Sequence, residues 1–167
     1  MRIYSYTHGK EKENSDCEII ISVKRYLREK GHAEGDITVF RDSFGKPHVE
    51  GADGIFVSVT HADGLLLVAV APYPIGIDTE KKDRRIRNAK KLAGRYFCPD
   101  EVEKLGENMT DGDFLEMWIA KEALSKLIGK GVPCMKEMSI FSQDVIIEDI
   151  YDYDGYITKV SKFVNQQ

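Results

Sequence analysis

No apolar run in this chain of 167 residues reaches the roughly 18 residues that a membrane-spanning helix requires. The opening segment, Met1-Arg2-Ile3-Tyr4-Ser5-Tyr6-Thr7-His8, has no apolar core of the kind a secretory signal carries. Cysteine is scarce as well. Cys17, Cys98 and Cys134 are odd in number, widely spaced and without a CxxC pattern, so neither a disulfide framework nor a zinc site is implied. Positive charge is not in excess: 24 Lys and Arg against 28 Asp and Glu leave a net charge of −4, which argues against a nucleic-acid binder working through a basic surface. Linker-like and low-complexity segments are missing too. These absences point to a compact, soluble, cytoplasmic protein. Its length suits one domain that buries its own core, or two small similar halves fused without a linker.

What is there alternates between extended and helical patterning. Residues 2–6 read as a strand, and residues 15–30 as a helix with Ile19, Ile20, Val23 and Leu27 at helical spacing and Gly31 ending it. Ile37–Phe40 reads as a strand, followed by a Gly- and Asp-rich connector. Two apolar runs, Ile55–Val59 and Leu65–Ala71, flank Ala62-Asp63-Gly64, a hairpin turn. Ile75–Thr79 is extended again. Residues 84–97 predict a helix, and Pro99 opens a short one. The longest helix spans Asp111 to Ile128, closed by Gly129 and Gly131 and stopped by Pro133. Met138–Phe141, Val145–Ile150 and Tyr156–Val160 read as closing strands, with Asp154-Gly155 as the last turn. The expected fold is α+β. Two α/β halves, 1–72 and 73–167, would be related by a pseudo-two-fold with the active site in the cleft between them. Element order alone supports this, since no residue-level repeat accompanies it.

The chemistry concentrates in two segments. Gly76-Ile77-Asp78-Thr79-Glu80 is a strand end whose two acids, two residues apart, share one face, while Ile75 and Ile77 take the other. Forty-four positions after Asp78, Glu122 and Lys126 lie on the long helix among Leu115 and Ile119, opposite a stripe of Met117, Ala120, Leu124, Leu127 and Ile128. Charges amid large apolar residues are not a typical solvated stripe. On the helix alone, an i,i+4 ion pair worth about 0.3–0.5 kcal/mol remains the plain alternative. If Asp78, Glu80 and Glu122 converge, the three anions repel unless a cation intervenes. Oxygen-only ligands favour a hard ion, Mg²⁺ or Mn²⁺, with substrate phosphates completing its shell.

At these residues the chain resembles the 4′-phosphopantetheinyl transferases, in particular the monomeric surfactin-synthetase-activating type. That family carries a GxD, commonly with an acid two residues on, and then W-x-x-K-E-(A/S)-x-x-K. The matching residues here are Gly76 to Glu80 and Trp118-Ile119-Ala120-Lys121-Glu122-Ala123-Leu124-Ser125-Lys126. Arg95-Tyr96-Phe97-Cys98-Pro99-Asp100-Glu101 is similar to the family's R-F-F-x-x-x-E segment. Phe44-Gly45-Lys46-Pro47 is similar to its (Y/F)-G-K-P, and Val57-Ser58-Val59-Thr60-His61 to a strand ending in Ser-His. The resemblance covers about residues 36–142.

The resemblance implies transfer of the 4′-phosphopantetheine arm of coenzyme A to a serine of an acyl- or peptidyl-carrier protein, releasing adenosine 3′,5′-bisphosphate. It implies Asp78, Glu80 and Glu122 as ligands of Mg²⁺, Glu122 and Lys126 as catalytic residues, and a monomer. For coenzyme A it implies Phe44, Gly45, Lys46 and Pro47 around the adenine, with Thr60, His61, Lys121 and Lys126 toward the phosphates. Glu101 is a further candidate, and Trp118 a core anchor. The chain departs from the family in its short amino-terminal part, where the arginine segment that helps hold the 3′-phosphate has no match. Lys10, Lys12, Lys24 and Arg25 are candidate substitutes. It departs also at Ile119, where a small hydroxyl or sulfur side chain is common, and in a trimmed carboxyl end. The basic run Lys81-Lys82-Asp83-Arg84-Arg85-Ile86-Arg87, with Lys90 and Lys91, is a candidate docking surface for an acidic carrier. Two other readings are a non-catalytic module that binds carrier proteins or coenzyme A, and a Mg²⁺-dependent pyrophosphohydrolase. No acidic RExxxEE-like helix supports the latter.

Overall fold

A computed structural model describes residues 1–7 and 15–165, and at 132–134 the backbone only. Lys10 and Lys12, two of the candidate phosphate ligands, lie outside the described residues. The elements in chain order are β1 (Arg2–Thr7), α1 (Asp16–Glu29), β2 (Thr38–Arg41), β3 (Pro47–Glu50), β4 (Phe56–Ala62), β5 (Leu65–Ala71), β6 (Gly76–Lys81), α2 (Ala89–Tyr96), α3 (Pro99–Leu105), α4 (Asp111–Ile128), β7 (Val145–Ile150) and β8 (Tyr156–Phe163). The fold is a mixed α/β one. Two antiparallel three-stranded sheets have the orders β1-β5-β4 and β6-β8-β7, and β2 and β3 form a separate hairpin.

Layering follows from which strands are apolar on both faces. The run Leu65–Ala71 makes β5 the central strand of its sheet. Val68 and Val70 pack under α1 with Ile19, Val23 and Leu27, while Leu67, Ala69 and Ala71 face the second sheet at Ile75, Ile77 and Val160. The other face of that second sheet carries α4, through Leu124, Leu127 and Val145. On its remaining side α4 meets α2 through Phe114, Met117, Phe97 and Ala93. Trp118 stacks on Phe114 and meets Tyr96 edge-on. A helix packed on nearly all sides is apolar nearly all round. That is why Leu115 and Ile119, opposite the main stripe, are buried as well. The hairpin turn falls at Asp63-Gly64, where φ of 37° and 89° fits a two-residue primed turn.

Three elements differ from the sequence expectation. The helix over 84–97 is confined to Ala89–Tyr96, because residues 84–88 offer three arginines and a single apolar side chain to bury. Met138–Phe141 is not a strand. Its backbone is claimed by side chains, with Ile140 N donating to Glu101 Oε1 and Met138 O accepting from Lys121 Nζ. The connector after Phe40 contains β3, whose turn is built by Asp42: its Oδ1 accepts from the backbone N–H of Phe44 and of Lys46.

Candidate active site

The site begins with a glycine. A Cβ on Gly76 would stand 2.0 Å from the carbonyl oxygen of Ala123 and 2.6 Å from the backbone nitrogen of Leu127. Only a residue without a side chain lets α4 lie so close to β6. Ser161, opposite Gly76 on β8, ties the contact by donating to Ala123 O at 2.7 Å. Two residues along the same face of β6 comes Asp78, 3% exposed, directly beneath α4.

Asp78 is held from two elements. Lys126 Nζ donates to Asp78 Oδ1 at 2.7 Å and to Ile77 O at 3.0 Å. Thr60 Oγ1 donates to the same Oδ1 at 2.9 Å and accepts from Thr79 N at 3.2 Å, while Ser58 Oγ accepts from Ile77 N at 3.1 Å. Alternate hydroxyls of β4 thus stand in for a strand partner along the free edge of β6. Asp78 Oδ2, by contrast, is buried and has no hydrogen-bond partner.

Glu122 faces the same point. Burial, and after it the charge of Asp78, push its carboxyl up to about 7, against the opposing pull of Lys126 and Arg84. Glu80, the third acid, is ion-paired with the Arg84 guanidinium. Among the described residues no three His, Cys, Asp or Glu side chains are gathered into a ready metal cluster. Asp78 and Glu122 meet, and Glu80 is occupied by an arginine. The donor set nevertheless fits Mg²⁺, which takes one or two carboxylates and completes its shell with water and phosphate. The buried, unpartnered Asp78 Oδ2 and the Glu122 carboxyl raised by burial and by the charge of Asp78 are what a cation would relieve.

A cleft of about 240 Å³ opens beside these acids, somewhat below the range of typical ligand pockets. Phe44, Gly45, Lys46 and Pro47 of the β2–β3 hairpin form one wall, and Glu122, Ser125, Lys126 and Gly129 of α4 and its cap another. Phe44 is 62% exposed at the rim. Lys46 anchors the hairpin by donating from Nζ to Leu127 O at 2.9 Å, at the helix C-terminus where a cation is favoured. Burial pulls its ammonium below the usual lysine range.

Other candidate residues lie elsewhere. Lys121, read as a coenzyme A ligand, is fully buried: its ammonium pairs with Glu101 Oε1 at 3.0 Å and donates to Met138 O at 2.7 Å. Glu101 also accepts from Cys98 N at 2.7 Å, capping α3. The two form a strut joining α3, α4 and the 138–140 segment, and neither lines the cleft. Thr60 is buried and engaged with Asp78. His61 is exposed on β4. Lys24 and Arg25 sit on α1, where Arg25 pairs with Glu29. The sequence reading did not single out Ser58, Ser125 or Met135, all at the cleft. The Ser58-x-Thr60 alternation was a usable signal for the first, since a strand places both hydroxyls on one face.

The family model of the 4′-phosphopantetheinyl transferase superfamily matches residues 74–152, which span β6 through the end of β7. The family named by the motifs is therefore the family that comparison finds. The chain is 30% identical over 115 residues to 4′-phosphopantetheinyl transferase gsp of Aneurinibacillus migulanus, covering 66% of this chain and 46% of that one. It is 33% identical over 93 residues to a 4′-phosphopantetheinyl transferase of Bacillus subtilis, covering 53% and 40%. With 4′-phosphopantetheinyl transferase Sfp of Bacillus subtilis (strain 168) it is 29% identical over 100 residues, covering 59% and 44%. The chain spans less than half the length of these relatives.

Proposed function

From this likeness to the 4′-phosphopantetheinyl transferase superfamily, we propose that the chain transfers the 4′-phosphopantetheine arm of coenzyme A to a serine of an acyl- or peptidyl-carrier protein, releasing adenosine 3′,5′-bisphosphate. The observation that carries the reading is the meeting of buried Asp78 with Glu122 and Lys126, the latter two lining a cleft walled by Phe44–Pro47. Asp78 and Glu122, joined by Glu80, would hold Mg²⁺. Bound there, the ion would neutralise charge developing on the pyrophosphate.

The chain's own residues do the rest. Thr60 and Lys126 fix the Asp78 carboxylate through one oxygen and leave the other for the ion. Ionised Glu122 accepts the proton of the attacking serine hydroxyl, directly or through water, which the weak nucleophile needs. Lys126, partly exposed at the cleft, stabilises charge passing to the departing bisphosphate. Phe44 and Pro47 give the adenine an apolar wall, and Lys46, beside them, a cation for a phosphate. Glu101 and Lys121 serve the reaction only by holding α4 in place.

We further propose two halves, 1–72 and 73–167, related by a pseudo-two-fold. The common strand order supports this: in each sheet the first strand lies beside the last and the last beside the middle one, with a helix between first and middle. No helix among the described residues is long and apolar enough to cross a membrane, and we propose a cytoplasmic monomer.

The test is intact-mass spectrometry of an apo carrier protein incubated with the chain, coenzyme A and Mg²⁺, with a chelator control. A metal-dependent gain of one phosphopantetheine is expected. Coenzyme A binding by calorimetry without any transfer across several carriers would instead establish a non-catalytic module. Release of products from coenzyme A without a carrier would establish a pyrophosphohydrolase.

A further inference from the structure

We infer that Arg84 occupies Glu80 as a stand-in for the divalent cation, so that cation binding must displace its guanidinium; the inference rests on the metal reading above. Lys126 and Arg84, the cations attached to the acids Asp78 and Glu80, differ in how they are held. Lys126 is committed: it binds both Asp78 Oδ1 and the Ile77 carbonyl, and its side chain is 32% exposed. Arg84 is attached to Glu80 alone, from the charged turn that follows β6, with 43% of its side chain exposed. Glu80 is 20% exposed, so the pair opens to solvent on its arginine side, where an ion pair contributes little and exchanges more readily than a buried one.

The placement makes Arg84 a competitor. Its charge also reaches Glu122, pulling that carboxyl downward, so one guanidinium compensates two of the three acids. Without it Glu80, two residues along the same strand face from Asp78, would be free to join a cation held by Asp78 and Glu122. With it, the negative charge of the cation-free site is partly compensated. Arg84 thereby lowers metal affinity and preserves the site when no metal is bound. Once released, its guanidinium stays at the edge of the site, where the phosphates of a substrate would meet it.

The experiment is calorimetric titration of Mn²⁺ into the full chain without coenzyme A, in wild type, Arg84→Gln, Arg85→Gln, Glu80→Gln and the Arg84→Gln/Glu80→Gln pair. Arg84→Gln is expected to bind Mn²⁺ about two- to fivefold more tightly than wild type, the range an exposed ion pair supports. Arg85→Gln, which removes an equal charge from the neighbouring exposed position, should stay near wild type. The double variant should gain much less over Glu80→Gln than Arg84→Gln gains over wild type, because only the weaker action of Arg84 on Glu122 is then removed. Unchanged or weaker binding by Arg84→Gln overturns the inference while wild-type binding leaves the metal reading standing. Equal tightening by Arg85→Gln also overturns it, since the effect would then be a general field. If neither wild type nor Arg84→Gln binds Mn²⁺, both the inference and the metal reading fall.

Discussion

Gly76 and Ala123 approach so closely that the glycine's hydrogen occupies the only room between β6 and the backbone of α4: a Cβ would reach within 2.0 Å of the Ala123 carbonyl oxygen. The neighbours are helix backbone, which cannot step aside as a side-chain tip could. Gly76→Ala should therefore shift α4 away from β6 and separate Glu122 and Lys126 from Asp78. A loss of about 1–3 kcal/mol in denaturant unfolding is expected, as for overpacked cores, with transfer activity falling further than stability does. A variant with full stability and activity would mean that the contact is not what sets the site.

The Glu101–Lys121 pair gives a second prediction. Both side chains are fully buried, so removing one leaves the other uncompensated. Lys121→Met should cost about 3–5 kcal/mol, and adding Glu101→Gln, which removes the uncompensated charge but keeps an acceptor for Cys98 N and Ile140 N, should recover part of it. Coenzyme A affinity of the double variant, measured by calorimetry, should match wild type. A large loss of affinity in that folded variant would return Lys121 to the substrate.

Glu122 makes the cation-free protein sensitive to pH. Its carboxyl is raised to about 7 from an ordinary 4.5, so between those values the folded state binds a proton that the unfolded state has lost. The contribution is fully present below about pH 4.5 and disappears as pH rises through 7. In chelator, thermal melts should show stability falling over this window. Glu122→Gln should flatten that part of the profile and abolish transfer while the protein stays folded. Near-normal transfer by Glu122→Gln would remove it from the catalytic role.

The basic run after β6 supplies a test of carrier docking. Arg87 and Lys91 are exposed residues of that run and take no part in the Glu80–Arg84 pair. Reversing both to Glu should raise KM for an acidic carrier about fivefold at low salt, leave KM for coenzyme A alone, and lose much of its effect at high salt. An unchanged carrier KM would send the search for the docking surface elsewhere.

Much of this architecture was legible in the chain. The end of α4 follows from Gly129 and its course from an apolar periodicity, and β5 from seven consecutive apolar residues. The two-residue spacing of Asp78 and Glu80 places both on the face that meets α4. The hairpin carrying Phe44 to Pro47 was less visible, since its strands are only four residues long and its turn depends on one Asp42 side chain.

Sequence by itself determined most of the elements and the chemical kind of the site, because periodicity, capping and acid spacing act over a few residues and need no tertiary knowledge. Tertiary structure decided which charges pair. Lys121 and Lys126 are five apart on one helix; one is sealed against Glu101 and the other reaches Asp78 at the cleft. Glu80 and Asp78 share a strand face, yet one meets an arginine and the other keeps a buried oxygen unpartnered. The reason is physical: a charge's partner is set by the elements that close over it and by the water they exclude, and those elements come from distant parts of the chain.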